Sequence, residues 1–200
     1  MVDTKRNRIR GGMKDLGSSD VFPTLGPRII EGIHPATLSE DDLMRGVSLT
    51  FGRTSGPGGQ HRNRKATACI MTHDATGVVG EASERRRQSE NRRMALNRLR
   101  RCLAVQVRTA VDSKSFSPSE LVTSRRNGSQ LAINPKHWDY PALLAEALDL
   151  VWAFDTDVRS AAEGLGVSSS QLIRLIAHDK QALAWLNRQR QERGLGTIKP

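Results

Sequence analysis

The residue types best suited to chemistry lie between positions 53 and 65, in the sequence RTSGPGGQHRNRK. Gly56, Gly58 and Gly59 surround Pro57, so neither a regular helix nor a regular strand is expected to run through this stretch. Gln60 is the first residue after the glycines with a sizeable polar side chain. The pattern predicts a loop that presents one amide side chain on a backbone of unusual conformational freedom.

The loop lies in the most basic part of the chain. Residues 53–109 hold thirteen Lys/Arg and four Asp/Glu, a net charge of +9 out of +10 for all 200 residues. Such a concentration favours a polyanionic partner for this segment, and RNA or DNA is the simplest candidate. A merely solubilising surface is the alternative.

The elements that must position the loop form a small domain. Residues 47–51 alternate apolar and polar side chains and predict a strand before the loop. Residues 66–73 predict a returning strand and residues 78–82 a third, which together make an antiparallel meander. A long helix is predicted from about Arg85 to Thr109, with a buried stripe and an arginine-rich face. The buried stripe comprises Ala95, Leu99, Cys102 and Leu103. The predicted fold class is α+β, a small antiparallel sheet carrying the loop and packed on a long helix.

Composition shifts divide the rest of the chain. Residues 1–34 are predicted to be a disordered tail, whose basic run at 5–10 either contacts RNA or is solvated; we favour solvation. The loop domain is predicted over 35–110. Residues 111–139 are rich in serine and proline and predict a linker. Residues 140–200 predict a small all-α module.

The C-terminal module resembles a helix-turn-helix. A helix is predicted to end in a glycine turn at Gly164 to Gly166, and Ser168 can cap the next helix. The module carries no net charge, and Arg174 is the single cation of the would-be recognition helix. Because phosphate contacts usually dominate DNA affinity, a docking or ribosome-contacting bundle is favoured over sequence-specific DNA binding.

Several function classes find no support in the sequence. No apolar run approaches the length of a membrane span, and the N-terminus lacks a secretory apolar region, so a cytoplasmic protein is expected. Cys69, His61 and His73 are candidate metal ligands, but their spacing favours packing, so no metal and no cofactor is expected. Cys102 is predicted to be a core residue. The three tryptophans are predicted to pack rather than to stack on bases: Trp138, Trp152 and Trp185.

The loop resembles the GGQ loop of class I peptide-chain release factors. Ser55-Gly56-Pro57 precedes Gly58-Gly59-Gln60, and His61 and Asn63 follow. The likeness continues through Thr72-His73, through Glu81, and along the helix. It covers about residues 45–108. The matching helix positions are Arg86, Gln88, Asn91, Arg92, Ala95 and Leu96.

The resemblance implies hydrolysis of the ester between a nascent peptide and tRNA on the ribosome. It makes Gly58, Gly59 and Gln60 the catalytic residues. It implies three partners: the rRNA of the peptidyl-transferase centre, peptidyl-tRNA, and a methyltransferase acting on Gln60. A monomer is expected. The RNA-binding candidates are Arg53, Ser55, His61, Arg62, Asn63, Arg64, Lys65, Arg86, Arg92 and Arg93.

The chain departs from stop-codon-reading factors at both ends. Residues 1–45 are too short and irregular for a codon-recognition domain. The closer resemblance is to small, codon-independent proteins that rescue stalled ribosomes, although their strongly basic tail is weak here. Residues 188–200 hold four basic residues and one acidic residue. Two alternatives remain: a non-catalytic ribosome- or RNA-binding protein that keeps the GGQ scaffold, and a DNA-binding regulator.

Overall fold

The computed structural model describes residues 27–52 and 67–200. It contains short strands and helices in a mixed order. The strands are β1 Arg28–Ile30, β2 Val47–Gly52, β3 Ala68–His73, β4 Val79–Ala82, β5 Val107–Thr109, β6 Arg126–Asn127 and β7 Gln130–Leu131. The α-helices are α1 Glu40–Arg45, α2 Gln88–Gln106, α3 Glu120–Arg125, α4 Tyr140–Ala153, α5 Val158–Leu165, α6 Ser169–Ala177 and α7 Lys180–Glu192, and a 3-10 turn spans Pro35–Thr37.

A three-stranded antiparallel sheet packs on α2, as the sequence predicts. The strand order is β2-β3-β4, and the register pairs Met71 with Gly80 and Cys69 with Ala82. Cys69 and Met71 are fully buried on the side of the sheet that faces α2. Gly80 permits the contact, because a Cβ at this position would lie 2.4 Å from the backbone nitrogen of Leu99. The sheet therefore packs directly against the helix backbone.

The long helix is shorter than predicted, and a short strand replaces its predicted last turn. α2 ends at Gln106, and the next three residues form β5, which pairs in parallel with β1. The predictions of a helix to Thr109 and of disorder through residue 34 are therefore wrong over these residues. Besides the β1–β5 pairing, His34 also links the N-terminal segment to β5, because its Nε2 lies 3.2 Å from the carbonyl oxygen of Val107. Residues 1–26 lie outside the described part of the chain.

Regular structure also occurs where a linker was predicted. Helix α3 begins at a Ser119 cap, and β6 and β7 form a hairpin that contacts the α5–α6 turn through Ser129. Val122 and Leu131 are buried in the same hydrophobic core as α2 and α4. Both lie in short apolar runs, Leu121-Val122 and Leu131-Ala132-Ile133, within a segment rich in polar residues, so no helix or strand period predicted their burial. The linker prediction is wrong over residues 120–131.

The C-terminal helices surround α4. All residues of α4 except Glu146, Trp152 and Ala153 are buried, which makes it a central helix rather than one with a single apolar stripe. α5 ends at Gly166, whose φ of +68° is a left-handed conformation suited to glycine. The glycine turn predicted at Gly164 to Gly166 is therefore narrower than expected, because Gly164 lies inside α5 and Gly166 alone ends the helix. Ser168 caps α6 as predicted.

The last residues fold back on α7. The Asn187 side chain bonds both the amide and the carbonyl of Ile198, and Arg190 Nε donates to the carbonyl of Gly196 at 2.8 Å. Ile198 also packs against the core. Within the described residues, no helix combines the length and apolar character needed to cross a bilayer.

Candidate functional site

The GGQ loop connects two adjacent, paired strands. The last residue of β2, Gly52, is paired with the first residue of β3, Ala68. Both ends of the loop therefore leave the same end of the sheet on neighbouring strands. Leu49 and Phe51 on β2 remain partly exposed on the helix-facing side, because α2 lies over β3 and β4.

Asn91 fixes the exit of the loop to the start of α2. Its side chain is completely buried, and its Nδ2 donates to the carbonyls of Thr67 at 2.7 Å and Arg85 at 2.9 Å. Its Oδ1 accepts from the Arg85 amide at 2.9 Å. One side chain thus connects the strand after the loop, the segment before α2 and the helix itself. A buried amide satisfied on both sides is a rigid junction.

Arg98, on α2, forms a second connection, from the helix to β4 and to the segment that follows β4. It donates to the carbonyl of Glu81 at 2.6 Å and to the Glu84 carboxylate at 2.5 Å. Partial burial alone would raise the pKa of Glu84, but the bonds from Arg98 and from backbone amides outweigh it and lower that pKa. The connection between β4 and α2 is therefore held to the helix at both its ends.

The arginine face of α2 is less available than the sequence predicted. Arg100 is 8% exposed and donates to the carbonyl of Leu38. Arg101 donates to the carbonyl of Pro135 and lies over the Tyr140 ring. These arginines connect elements of the fold.

Three of the predicted RNA-binding residues, Arg86, Arg92 and Arg93, belong to the described part of the chain and lie just before or at the start of α2. Arg86 and Arg93 are exposed, and neither pairs with a carboxylate of the described residues. Arg92 lies 3.7 Å from Glu40 on α1 and is about half exposed. Among the described residues, Arg86 and Arg93 therefore give the start of α2 and the segment just before it an exposed cationic surface.

The remaining predicted site residues lie outside the described residues. They are the catalytic candidates Gly58, Gly59 and Gln60, and the RNA-binding candidates Arg53, Ser55, His61, Arg62, Asn63, Arg64 and Lys65. Their roles stay predictions. Of the candidate ligands considered with His61, Cys69 is buried in β3, and His73 is hydrogen bonded to Thr76 at 2.8 Å.

Comparison with known proteins matches this same region. Residues 39–131 match the RF-1 domain family. This segment of the chain is similar to the RF-1 domain of class I release factors. The match extends beyond the predicted domain end at residue 110 and takes in α3 and the β6–β7 hairpin.

Curated proteins that are similar to this chain include peptide chain release factors. Peptide chain release factor 2 of Lactiplantibacillus plantarum is 39% identical over 83 residues, which are 42% of this chain and 20% of that protein. Peptide chain release factor 1 of Nitrosomonas eutropha is 36% identical over 105 residues, 48% of this chain and 29% of that protein. Peptide chain release factor 2 of Chlamydia trachomatis is 36% identical over 83 residues, again 42% and 20%. The match thus covers less than a third of each relative, and no solved structure gave a match.

A buried ion pair joins the RF-1 domain to the C-terminal helices. Arg108, on β5 just after the long helix, is fully buried and lies 3.7 Å from Asp149 on α4. Its guanidinium lies 4.1 Å from the centre of the Trp185 ring on α7 and donates to the carbonyls of Ala104 and Val105. Burial lowers the pKa of Arg108 to about 10, so it remains charged at neutral pH. This arginine, which contributed to the basic excess of the sequence, is unavailable to RNA.

Sequence reasoning missed the structural role of Asn91. Asn91 was one of several positions in the resemblance, with no role of its own. The available signal was a polar residue in register with Ala95 and Leu99 on the buried stripe of α2, since positions four apart share a helix face. A buried polar residue requires partners, and here the partners are the loop exit and the helix start.

Proposed function

We propose that this protein promotes hydrolysis of the ester bond of peptidyl-tRNA on the ribosome. The observation that carries the proposal is the sequence Gly58-Gly59-Gln60 inside a segment that matches the RF-1 domain family. The paired ends of the loop on β2 and β3 support it, because they give the sequence a fixed base.

The chemistry requires little from side chains. Water attacks the ester carbonyl, and negative charge develops on the carbonyl oxygen and on the departing ribose oxygen. A hydrogen-bond donor placed at that charge stabilises the transition state, and the backbone N–H of Gln60 can supply it. The Gln60 side-chain amide restricts what enters beside the ester. Gly58 and Gly59 permit backbone conformations closed to other residues and a close approach to RNA.

Positioning is the contribution of the described residues. Asn91 holds the exit of the loop, and the exposed Arg86 and Arg93 provide phosphate contacts beside it. We assign Arg92 a weaker role, since Glu40 already neutralises part of its charge. A rigid base reduces the entropy lost when the loop tip is placed against the ester.

We further propose that the activity is codon-independent and serves ribosome rescue. Residues 28–37 form a strand and a turn on the end of α2. This proposal rests on the resemblance of the GGQ segment to small, codon-independent proteins that rescue stalled ribosomes. The C-terminal residues 196–198 are bonded to α7, so the α4–α7 helices, rather than a free basic tail, are proposed to contact the ribosome.

The test is peptide release from purified ribosomes that carry peptidyl-tRNA. Three complexes are compared, with a truncated message, a sense codon or a stop codon in the A site. We expect release on the truncated message alone. Gln60→Pro removes the backbone N–H and should lower release at least about a hundredfold, the scale seen when one transition-state donor is lost. Gln60→Ala keeps that N–H and should lower release less. Gln130→Ala, an exposed glutamine on β7 of the same domain, is the matched control and should release normally.

Each other outcome contradicts part of the proposal. Release at stop codons alone would refute codon independence. Tight ribosome binding without release in any complex would favour the non-catalytic RNA-binding alternative. Methylation of the Gln60 side-chain amide, which would add a methyltransferase to the partners, is tested by the intact mass of the protein from its native host.

A further inference from the structure

Trp138 is the most exposed tryptophan of the described residues. Its side chain is 66% exposed, whereas Trp185 is buried and Trp152 packs against the core. The prediction that all three tryptophans pack is therefore wrong for Trp138. An indole is usually buried or engaged at an interface, because it combines a large apolar face with one polar N–H. The exposure of Trp138 requires a reason.

The backbone around Trp138 is held rigidly. It lies in a turn before α4 in which the carbonyl and side chain of Asn134 accept from His137 and Lys136. Asp139 is 3% exposed, and its carboxylate bonds both His137 and Arg125. The exposed indole is thus presented on a fixed base, which lowers the entropy lost on binding a flat partner.

The surroundings of Trp138 are cationic. Residues 121–138 hold three Lys/Arg and no Asp/Glu, and the adjacent Asp139 is buried and paired. Arg125 Nη2 lies 3.3 Å from His137, whose ring centre is 5.7 Å from that of Trp138. Lys136 is exposed. An unpaired nucleotide offers both a π-face for the indole and a phosphate for the neighbouring cations.

We propose that Trp138 stacks on an unpaired RNA base and that Lys136 contacts a flanking phosphate. Arg125 contributes less, because it is already paired with Asp139. Aromatic platforms beside cations bind single-stranded RNA in this way, with little dependence on sequence. The surface lies beyond residue 131, where the RF-1 match ends, apart from Arg125. It does not depend on hydrolysis by the loop.

The position of this surface suits a partner that also reaches the loop. Arg101 on α2 donates to the carbonyl of Pro135 in the same turn, and Asn91 on α2 holds the loop exit. The two residues are about 15 Å apart along the helix axis, at 1.5 Å per residue. The helix therefore connects two RNA-facing surfaces at a fixed separation.

The test is direct binding of a short, unstructured RNA to the full-length protein without ribosomes. The loop cations Arg62, Arg64 and Lys65 are replaced by alanine in every sample to reduce the loop's own attraction for RNA. Trp138→Ala is expected to weaken binding about tenfold, the scale of one stacked base, and Trp138→Phe should retain most of the affinity. An abasic oligomer with the same phosphates should bind the parent weakly, and its affinity should be unchanged by Trp138→Ala.

A matched pair of lysines separates a local site from general attraction. Lys136→Ala should weaken binding and reduce the salt dependence by about one ion, while Lys114→Ala, at an exposed lysine of the preceding segment, should do neither. Equal effects of the two lysine variants, or unchanged RNA binding by Trp138→Ala, would overturn the proposal. Unchanged RNA binding together with lost ribosome association would assign the surface to a protein partner instead.

Discussion

Replacing Asn91 by alanine should loosen the GGQ loop and destabilise the whole domain. The substitution removes three buried hydrogen bonds and leaves the Arg85 amide and carbonyl and the Thr67 carbonyl without that partner. At about 0.5–1.5 kcal/mol per bond, the free energy of unfolding should fall by roughly 2–4 kcal/mol. For a chain of this size the melting temperature should fall by about 5–15 °C.

The assay combines urea unfolding with tryptic cleavage at Arg62, Arg64 and Lys65, performed where the variant remains folded. Cleavage at these sites should accelerate in Asn91→Ala, and peptide release should fall more than ribosome binding does. The control is Asn97→Ala, an exposed asparagine on the same helix. An unfolding free energy within about 0.5 kcal/mol of the parent, with unchanged cleavage, would refute the role assigned to Asn91.

Three further predictions concern the packing that supports the domain. Gly80→Ala should cost about 2–3 kcal/mol because its Cβ would meet the α2 backbone, whereas Gly52→Ala, with no atom within 4 Å, should cost less than about 1 kcal/mol; urea unfolding compares them. Asp149→Ala should lower the free energy of unfolding by about 3–5 kcal/mol, because it leaves the buried Arg108 charge unpaired. In a double-mutant cycle, the variant with both Arg108→Met and Asp149→Leu should lose less stability than these two single changes lose in sum. Burial lowers the pKa of His34 from 6.5 to about 4. Between these two pH values His34 is protonated in the unfolded chain and neutral in the folded protein, so the free energy of unfolding falls as the pH decreases. Relative to His34→Gln, the parent should lose about 1.4 kcal/mol per pH unit between pH 6.5 and 4, and a constant difference would contradict this pKa.

The GGQ segment and its immediate frame could be predicted from local signals. Glycines beside a proline exclude regular structure, alternation marks the strands, and a repeat of three and four residues marks α2. The structure confirms a mixed fold with a small antiparallel sheet and several helices, and the family match places a release factor-like domain on it. These features depend on residues close together in sequence, so a sequence can carry them alone.

Other features depended on partners distant in the chain. β1 forms because residues 28–30 pair with β5, which follows α2. Val122 and Leu131 are buried because a core built by α2 and α4 lies beside them. The use of each arginine also differs: Arg93 faces solvent, whereas Arg108 is enclosed by α4 and α7. The sequence shows that both residues are cationic, but it does not show which of them is exposed.

The sequence by itself predicted a catalytic role for Gly58, Gly59 and Gln60, and it determined the strands on either side of them and the long helix that follows. Only the tertiary structure decided that Asn91 holds the loop exit, that Arg108 joins the domain to the C-terminal helices, and that Trp138 faces solvent. The physical reason is that burial and hydrogen-bond partners are properties of an environment. That environment is built by segments far apart in the chain, and no local pattern records it.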